Sequence, residues 1–310
     1  MKLRQLLAAA ALAIPAAAYA DEPLFGFVYT TDLLPKGRTE AEQWVTLREG
    51  RASGDFHLVQ TRTELSHGVT NDLQLSGYLD FAYANVKNNG PDGTTIPPEV
   101  FADYEADPDK RFTKTRLQDV SVEAIYRFSS PYKSPIGAAL YFEPSLGPRT
   151  RELETKLILQ TNFIDDRLVF AFNATLAYEW RKLHADPEAE PGSIEARDHW
   201  DKETDVNFGV AGSYRFAPNW SAGAEVQNER EWAGLNPFNA DKRINQAWYG
   251  GPTIHYGGQK FFATFTTLFQ LPLGHDYAEK DNAIDAVIHG FNNADDFESY
   301  RFRLKLGYFF

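Results

Sequence analysis

The sequence predicts an all-β chain closed into a transmembrane antiparallel β-barrel of about 12 strands, with short periplasmic turns and long acidic extracellular loops. Three observations predict it. Apolar and polar residues alternate with period two over segments near ten residues, the length a tilted strand needs to cross hydrocarbon. The connections between these segments are alternately short and long. Beyond the N-terminus no run of eighteen apolar residues exists, which excludes helical membrane spans.

The first twenty residues read as a targeting segment. Lys2 and Arg4 form a short basic region, and Leu6 to Ile14 is apolar but too short to span a bilayer as a helix. Ala18-Tyr19-Ala20 places small residues where a signal peptidase reads them. Residues 1–20 are therefore expected to be a cleaved signal peptide, a short anchor helix being the alternative. Residues 21–40 alternate weakly and then break at Asp32-Leu33-Leu34-Pro35-Lys36-Gly37. They are expected to form a periplasmic lead-in or a small plug, leaving 41–310 as the barrel.

The strands are expected at 41–49, 56–66, 72–86, 116–128, 135–146, 152–161, 167–180, 204–216, 220–231, 246–256, 261–271 and 299–310. In the third, Leu73, Leu75, Gly77, Leu79, Phe81 and Tyr83 oppose Asp72, Gln74, Ser76, Tyr78 and Asp80. In the fourth, Val120, Val122, Ala124, Tyr126 and Phe128 oppose Asp119, Ser121, Glu123 and Arg127. The last sets Tyr300, Phe302, Leu304, Leu306, Tyr308 and Phe310 against Arg301, Arg303 and Lys305. Successive side chains on a strand point to opposite faces, so each segment has one apolar and one polar side.

The connections agree with this count. His67–Asn71, Ser129–Ser134, Asn162–Asp166, Ala217–Asn219 and Gly257–Lys260 are short and rich in turn residues. Lys87–Thr115, Arg181–Glu203, Trp232–Asn245 and Pro272–Glu298 are long and mostly acidic. Aromatic residues make up 14% of the chain. Phe128, Phe216, Trp220, Tyr256, Phe261, Tyr308 and Phe310 are expected to form one girdle, and Tyr83, Tyr178, Trp180, Trp232 and Trp248 the other.

The C-terminal strand, with Tyr308 and terminal Phe310 on its apolar face, resembles the terminal signal read by bacterial barrel-assembly machinery. The stretch Phe25–Glu49, with Thr31-Asp32-Leu33-Leu34-Pro35-Lys36-Gly37 and Glu42-Gln43-Trp44-Val45, resembles a family of uncharacterised proteobacterial outer-membrane barrels, a domain of unknown function. These resemblances imply insertion into the outer membrane of a Gram-negative bacterium. They imply no activity, and no functional residue is carried over.

Composition narrows the partners. The chain has 31 basic and 43 acidic residues and no cysteine. Without Lys2 and Arg4 the balance is 29 against 43, a net charge near −14. Nucleic acid is excluded as a partner, because phosphate contacts need clustered Lys and Arg. Outer-membrane lipid, lipopolysaccharide, the assembly machinery and a small solute remain. Thiolate metal sites and a cysteine nucleophile are excluded, and nothing indicates an organic cofactor.

The candidate lumen charges are Arg62, Glu64, Glu123, Arg127, Glu154, Lys156, Glu225, Arg301, Arg303 and Lys305. Charges inside a barrel must pair or meet water, since an unpaired one costs several kcal/mol. Arg301, Arg303 and Lys305 form a ladder with steps of about 7 Å. Such a ladder either guides anionic or zwitterionic solutes or is neutralised by its neighbours. Twelve strands lie between the filled eight-stranded barrel and the aqueous pore of sixteen. The expected function is a narrow passive channel for small hydrophilic solutes; the alternatives are a non-conducting structural or adhesion barrel and a lipid-modifying rim enzyme. The enzyme ranks last because none of the seven histidines has Ser two residues later. The acidic loops Asp103–Asp109 and Asp186–Glu190 lack the glycine and glutamate of a helical calcium loop. They read as a solvated crown, or one bridged to lipopolysaccharide by divalent cations.

Overall fold

Alternating strands without a helix to cover them can hide both edges only by closing on themselves. The computed structural model does this. It describes residues 23–51, 53–90, 92–185, 189–194, 196–277, 286–288, 291–294 and 297–310, so the expected signal peptide lies outside the described residues.

Twelve long strands form the wall: β1 (Thr39–Glu49), β2 (Asp55–Gly68), β3 (Leu73–Lys87), β4 (Phe112–Ser129), β5 (Gly137–Leu146), β6 (Thr150–Phe163), β7 (Leu168–Leu183), β8 (His199–Ala217), β9 (Trp220–Ala233), β10 (Arg243–Gly257), β11 (Phe261–Gln270) and β12 (Tyr300–Phe309). Each pairs antiparallel with its sequence neighbours, and β12 closes the barrel by pairing β1 from Glu40↔Phe309 to Glu49↔Tyr300. A two-residue strand, His275–Asp276, pairs antiparallel with β10 at the long-loop end, and a small hairpin joins Ala286–Ile288 to Phe291–Asn293.

All twelve expected strands are present. Several run further toward the long-loop end: β4 starts at Phe112, β7 reaches Leu183 and β8 starts at His199. The long connection expected at Arg181–Glu203 is thus reduced to residues 184–198. Beyond the apolar band the outward residues turn polar, so alternation fades there while backbone pairing continues.

The expected faces hold. Val122 is 60% exposed on the outer surface, while Ser121 and Glu123 on either side of it are buried. Leu75, Phe142, Val210 and Leu304 likewise face outward. At the short-turn end Phe128, Phe216, Trp220, Phe261, Tyr308 and Phe310 are exposed. Trp232 departs from the expected girdle: it is buried, with the Arg243 guanidinium 5.3 Å over its ring.

Two segments fold into the barrel. Phe25, Val28, Leu33 and Leu34 of the N-terminal stretch are buried against wall residues, Val28 on Ala171 and Ala211, and Leu33 on Ile125 and Ile158. Residues 23–36 therefore sit as a plug in the short-turn half of the lumen. At the other end the β3–β4 loop turns inward and buries Phe101 among Phe56, Leu58, Ala84, Val86 and Phe112.

Arginine in place of Val122 should weaken refolding into vesicles by about 2–4 kcal/mol if this position lies near mid-membrane. Ser121→Ala, on the inner face of the same strand, should cost less. Urea titration of both variants checks the assignment of faces.

Candidate functional site in the barrel lumen

Each inward side chain is placed by the pleat, and neighbouring strands set charges side by side. On β2 and β3, Arg62 lies opposite Asp80 and donates from Nε to both its carboxylate oxygens at 3.0 Å. Its Nη2 reaches Glu143 on β5 at 3.2 Å, and its guanidinium stacks 4.4 Å over the Tyr78 ring. Glu64 accepts from the Tyr78 hydroxyl at 3.0 Å, and Glu123 accepts from Ser76 at 3.1 Å and from the same tyrosine. Both carboxylates are buried.

Lys156 pairs with Glu154 at 3.0 Å and lies 4.1 Å from the Tyr29 ring and 4.2 Å from Tyr141. Arg127 sits at the short-turn rim, where it pairs with Asp72 and donates to the Thr31 carbonyl at 3.2 Å.

The C-terminal ladder is largely occupied. Arg301 is buried, donates from Nη2 to Glu229 at 2.7 Å, pairs with Glu298 and stacks 3.8 Å over Tyr249. Lys305 lies 3.8 Å from the Trp44 ring. Arg303 donates to Thr46 Oγ1 at 2.8 Å and to the Gly26 carbonyl at 3.1 Å, with Phe27 stacked at 3.9 Å. For Arg301 this favours the ladder neutralised by its neighbours. Glu298 lies in the loop before β12. Its burial would raise the carboxyl, but Arg301 and Arg48 outweigh that and hold it at about 2.

The plug is held mainly by polar atoms. Glu225 on β9 accepts the backbone N–H groups of Gly26, Phe27 and Val28 at 2.7, 2.8 and 3.0 Å. Asn173 on β7 accepts from the Tyr29 N–H at 2.7 Å and donates back to its carbonyl at 2.9 Å. Gln160 on β6 accepts the Thr31 N–H at 2.7 Å, and Gln74 on β3 accepts that of Leu34 at 2.8 Å. Close approach needs a bare backbone: a Cβ on Gly26 would sit 2.7 Å from Thr266 Oγ1.

Above the plug the lumen is open. A cavity of about 530 Å³ fills the long-loop half, a second of about 270 Å³ continues below it, and a third of about 160 Å³ lies beside that. The first two share Arg48, Gln60, Asp119 and Glu152, and the lower two share Phe27, Lys156 and Arg303. Phe27 and Tyr29 of the plug help to line the lower space.

The upper cavity is acidic, with nine carboxylates and four arginines in its wall. Of these, Asp119, Glu152, Glu179, Asp205 and Glu229 follow the inward alternation of the expected strands, whereas Glu203, Glu231, Glu99 and Glu298 are not read as inward from sequence. Glu203 and Glu298 fell in expected loops and Glu231 at an expected strand end. Continuing the alternation through Glu203 and Asp205, or Glu229 and Glu231, would have found two of them. Carboxylate oxygens of Glu99, Glu179 and Glu203 come within 4.8 Å of one another, as metal ligands would. The Arg181 guanidinium pairs with all three and fills that centre.

A family model matches residues 17–310. The chain belongs to the Family of unknown function (DUF6662). Among curated proteins none matches it. Among solved structures it is similar to the COG4313 outer membrane channel from Pseudomonas putida F1, with a TM-score of 0.56 and 11% identity over 90% of this chain and 98% of that one. The NanC porin gives a TM-score of 0.46 at 10% identity, covering 86% of this chain and 98% of its own. At this identity the first match shows a shared fold, that of an outer-membrane barrel.

Replacing Glu225 with alanine leaves the Phe27 and Val28 N–H groups without an acceptor, each worth about 1–3 kcal/mol, while Gly26 keeps only its bond to Thr266 Oγ1. The plug should then detach, and limited proteolysis should cut within residues 23–36 while the barrel stays intact. Glu298→Gln should destabilise the barrel by up to about 3 kcal/mol at neutral pH. A carboxyl held below its ordinary range stabilises the fold above that range, and the contribution is lost as pH falls through about 2. Acid titration of heat-modifiable gel migration should therefore show a shallower acid loss in the variant.

Proposed function

We propose that this chain is a narrow passive channel for small hydrophilic solutes in the outer membrane of a Gram-negative bacterium, constricted at its periplasmic end by residues 23–36. The observation that carries the reading is the series of adjoining polar cavities between the long-loop end and the plug, which share lining residues. A purely structural barrel has no need of hollow, water-sized space lined by charge. The fold shared with a structure described as an outer membrane channel supports it.

The long-loop end faces the exterior and the short turns face the periplasm, the usual asymmetry of such barrels. Tyr308 on β12 and Phe310 directly after it, both exposed, suit recognition by the assembly machinery. Of the acidic loops, Asp103 is taken up by Arg116 and Arg149 and residues 186–188 lie outside the described residues, while the exposed Glu105, Asp107 and Asp109 suit divalent bridging to lipopolysaccharide phosphates. One observation favours a second reading, the non-conducting barrel: the plug fills its half of the lumen and satisfies its own backbone there.

Single-channel recording of the refolded protein in a planar bilayer separates the two. The intact chain should give small current steps, and deletion of residues 23–36 should enlarge them severalfold. In a salt gradient the reversal potential should indicate cation preference, set by the acidic mouth. Silence from both proteins would leave the structural reading.

A further inference from the structure

The acidic side of the upper cavity is built in a way that ordinary barrel stability opposes. Glu152 on β6 lies directly across from Glu179 on β7, and Glu179 directly across from Glu203 on β8. One row deeper, Asp205 on β8 lies across from Glu231 on β9. Like charges directly opposite on neighbouring strands destabilise a sheet. Arg181 neutralises part of the first row. Glu152, Asp205 and Glu231 make no ion pair with any described residue.

A second, independent feature is a set of buried acceptors without donors. Asn245 is 2% exposed and Asp119 is 7% exposed; both line the cavity. Asn245 Oδ1 and Asp119 Oδ1 each lack a hydrogen-bond partner, as does Oδ1 of Asp205. All three are acceptors, so what completes them is a donor. An ammonium group carries three donors and no acceptor.

We propose that this wall binds an elongated organic cation of the aliphatic di- or polyamine class. Distance argues against a single metal ion: among the described residues, the one acidic triad close enough to share an ion is that of Glu99, Glu179 and Glu203, and Arg181 occupies it. The uncompensated carboxylates are instead spread over β6, β8 and β9, at strand spacings of about 4.8 Å. Several separated ammonium groups match that spread. The wall already uses this solution internally, where the side chain of Arg181 reaches the carboxylates of Glu99, Glu179 and Glu203. Phe56, Leu58, Ile244 and Phe297 also line the cavity and suit the methylene segments between amines.

The proposal deepens the channel reading by naming its solute class, but its test does not require conduction. Calorimetric titration of the full-length refolded protein in detergent with 1,4-diaminobutane and spermidine should show saturable binding. Glu152→Gln and Glu231→Gln should each weaken it by about tenfold. Glu105→Gln, on the exposed β3–β4 loop, should leave it unchanged. Both wall variants remove repulsion and should fold, which heat-modifiable migration verifies. Absence of diamine binding to the folded wild type overturns the proposal. So does equal affinity for 1-aminobutane, or calcium chloride binding more tightly than spermidine and being lost in the same variants. A barrel that binds the diamine but passes no current would remove the channel reading and leave this site standing.

Discussion

Alternation of side chains along a strand ties the two faces of this barrel together. Once the outer face is committed to apolar residues such as Val122 and Leu304, every remaining residue must point inward. The inside is a confined space with little bulk water to solvate charge, so each inward group depends on its neighbours. The interior can be understood as a sequence of answers to that constraint. Near the short turns the answer is dense polar pairing around Arg62, Tyr78, Glu64 and Glu123, together with a threaded segment. Near the long loops it is incomplete, and there the cavity is widest.

The plug follows from the same constraint. A peptide segment entering the lumen must have its backbone hydrogen bonds met by side chains, since the strands have used theirs on each other. Glu225, Asn173, Gln160 and Gln74 are long or branched polar groups that project from the wall to do this. A carboxylate that accepts three successive N–H groups is satisfied without a cation, which explains why Glu225 needs no arginine beside it.

The strand count, the faces and the short-turn side were legible because each rests on local alternation. The N-terminal segment was only half legible: Phe25 to Thr31 alternates like a strand, but the side chains that bond its backbone lie from 96 to 277 residues away in sequence, which no local pattern encodes. The lumen charges were legible as inward but not as partners. Arg301 and Arg303 stand two residues apart on one face, yet one meets carboxylates and the other meets a hydroxyl, a carbonyl and a ring. Barrel closure and loop folding decide that difference. The same applies to Glu99, which reaches Arg181 only because Phe101 draws its loop inward.

The plug's partners are drawn from β3, β4, β6, β7, β9, β11 and β12, at defined heights on each. A slip of one residue in any of these strands would turn its partner from the lumen to the lipid side. Asn173, displaced in this way, would expose an amide to hydrocarbon and leave Tyr29 unanswered. The segment can settle only when strands from around the whole circumference stand in correct register. It therefore acts as an internal gauge of assembly, seating firmly in a finished barrel and finding no seat in a misaligned one.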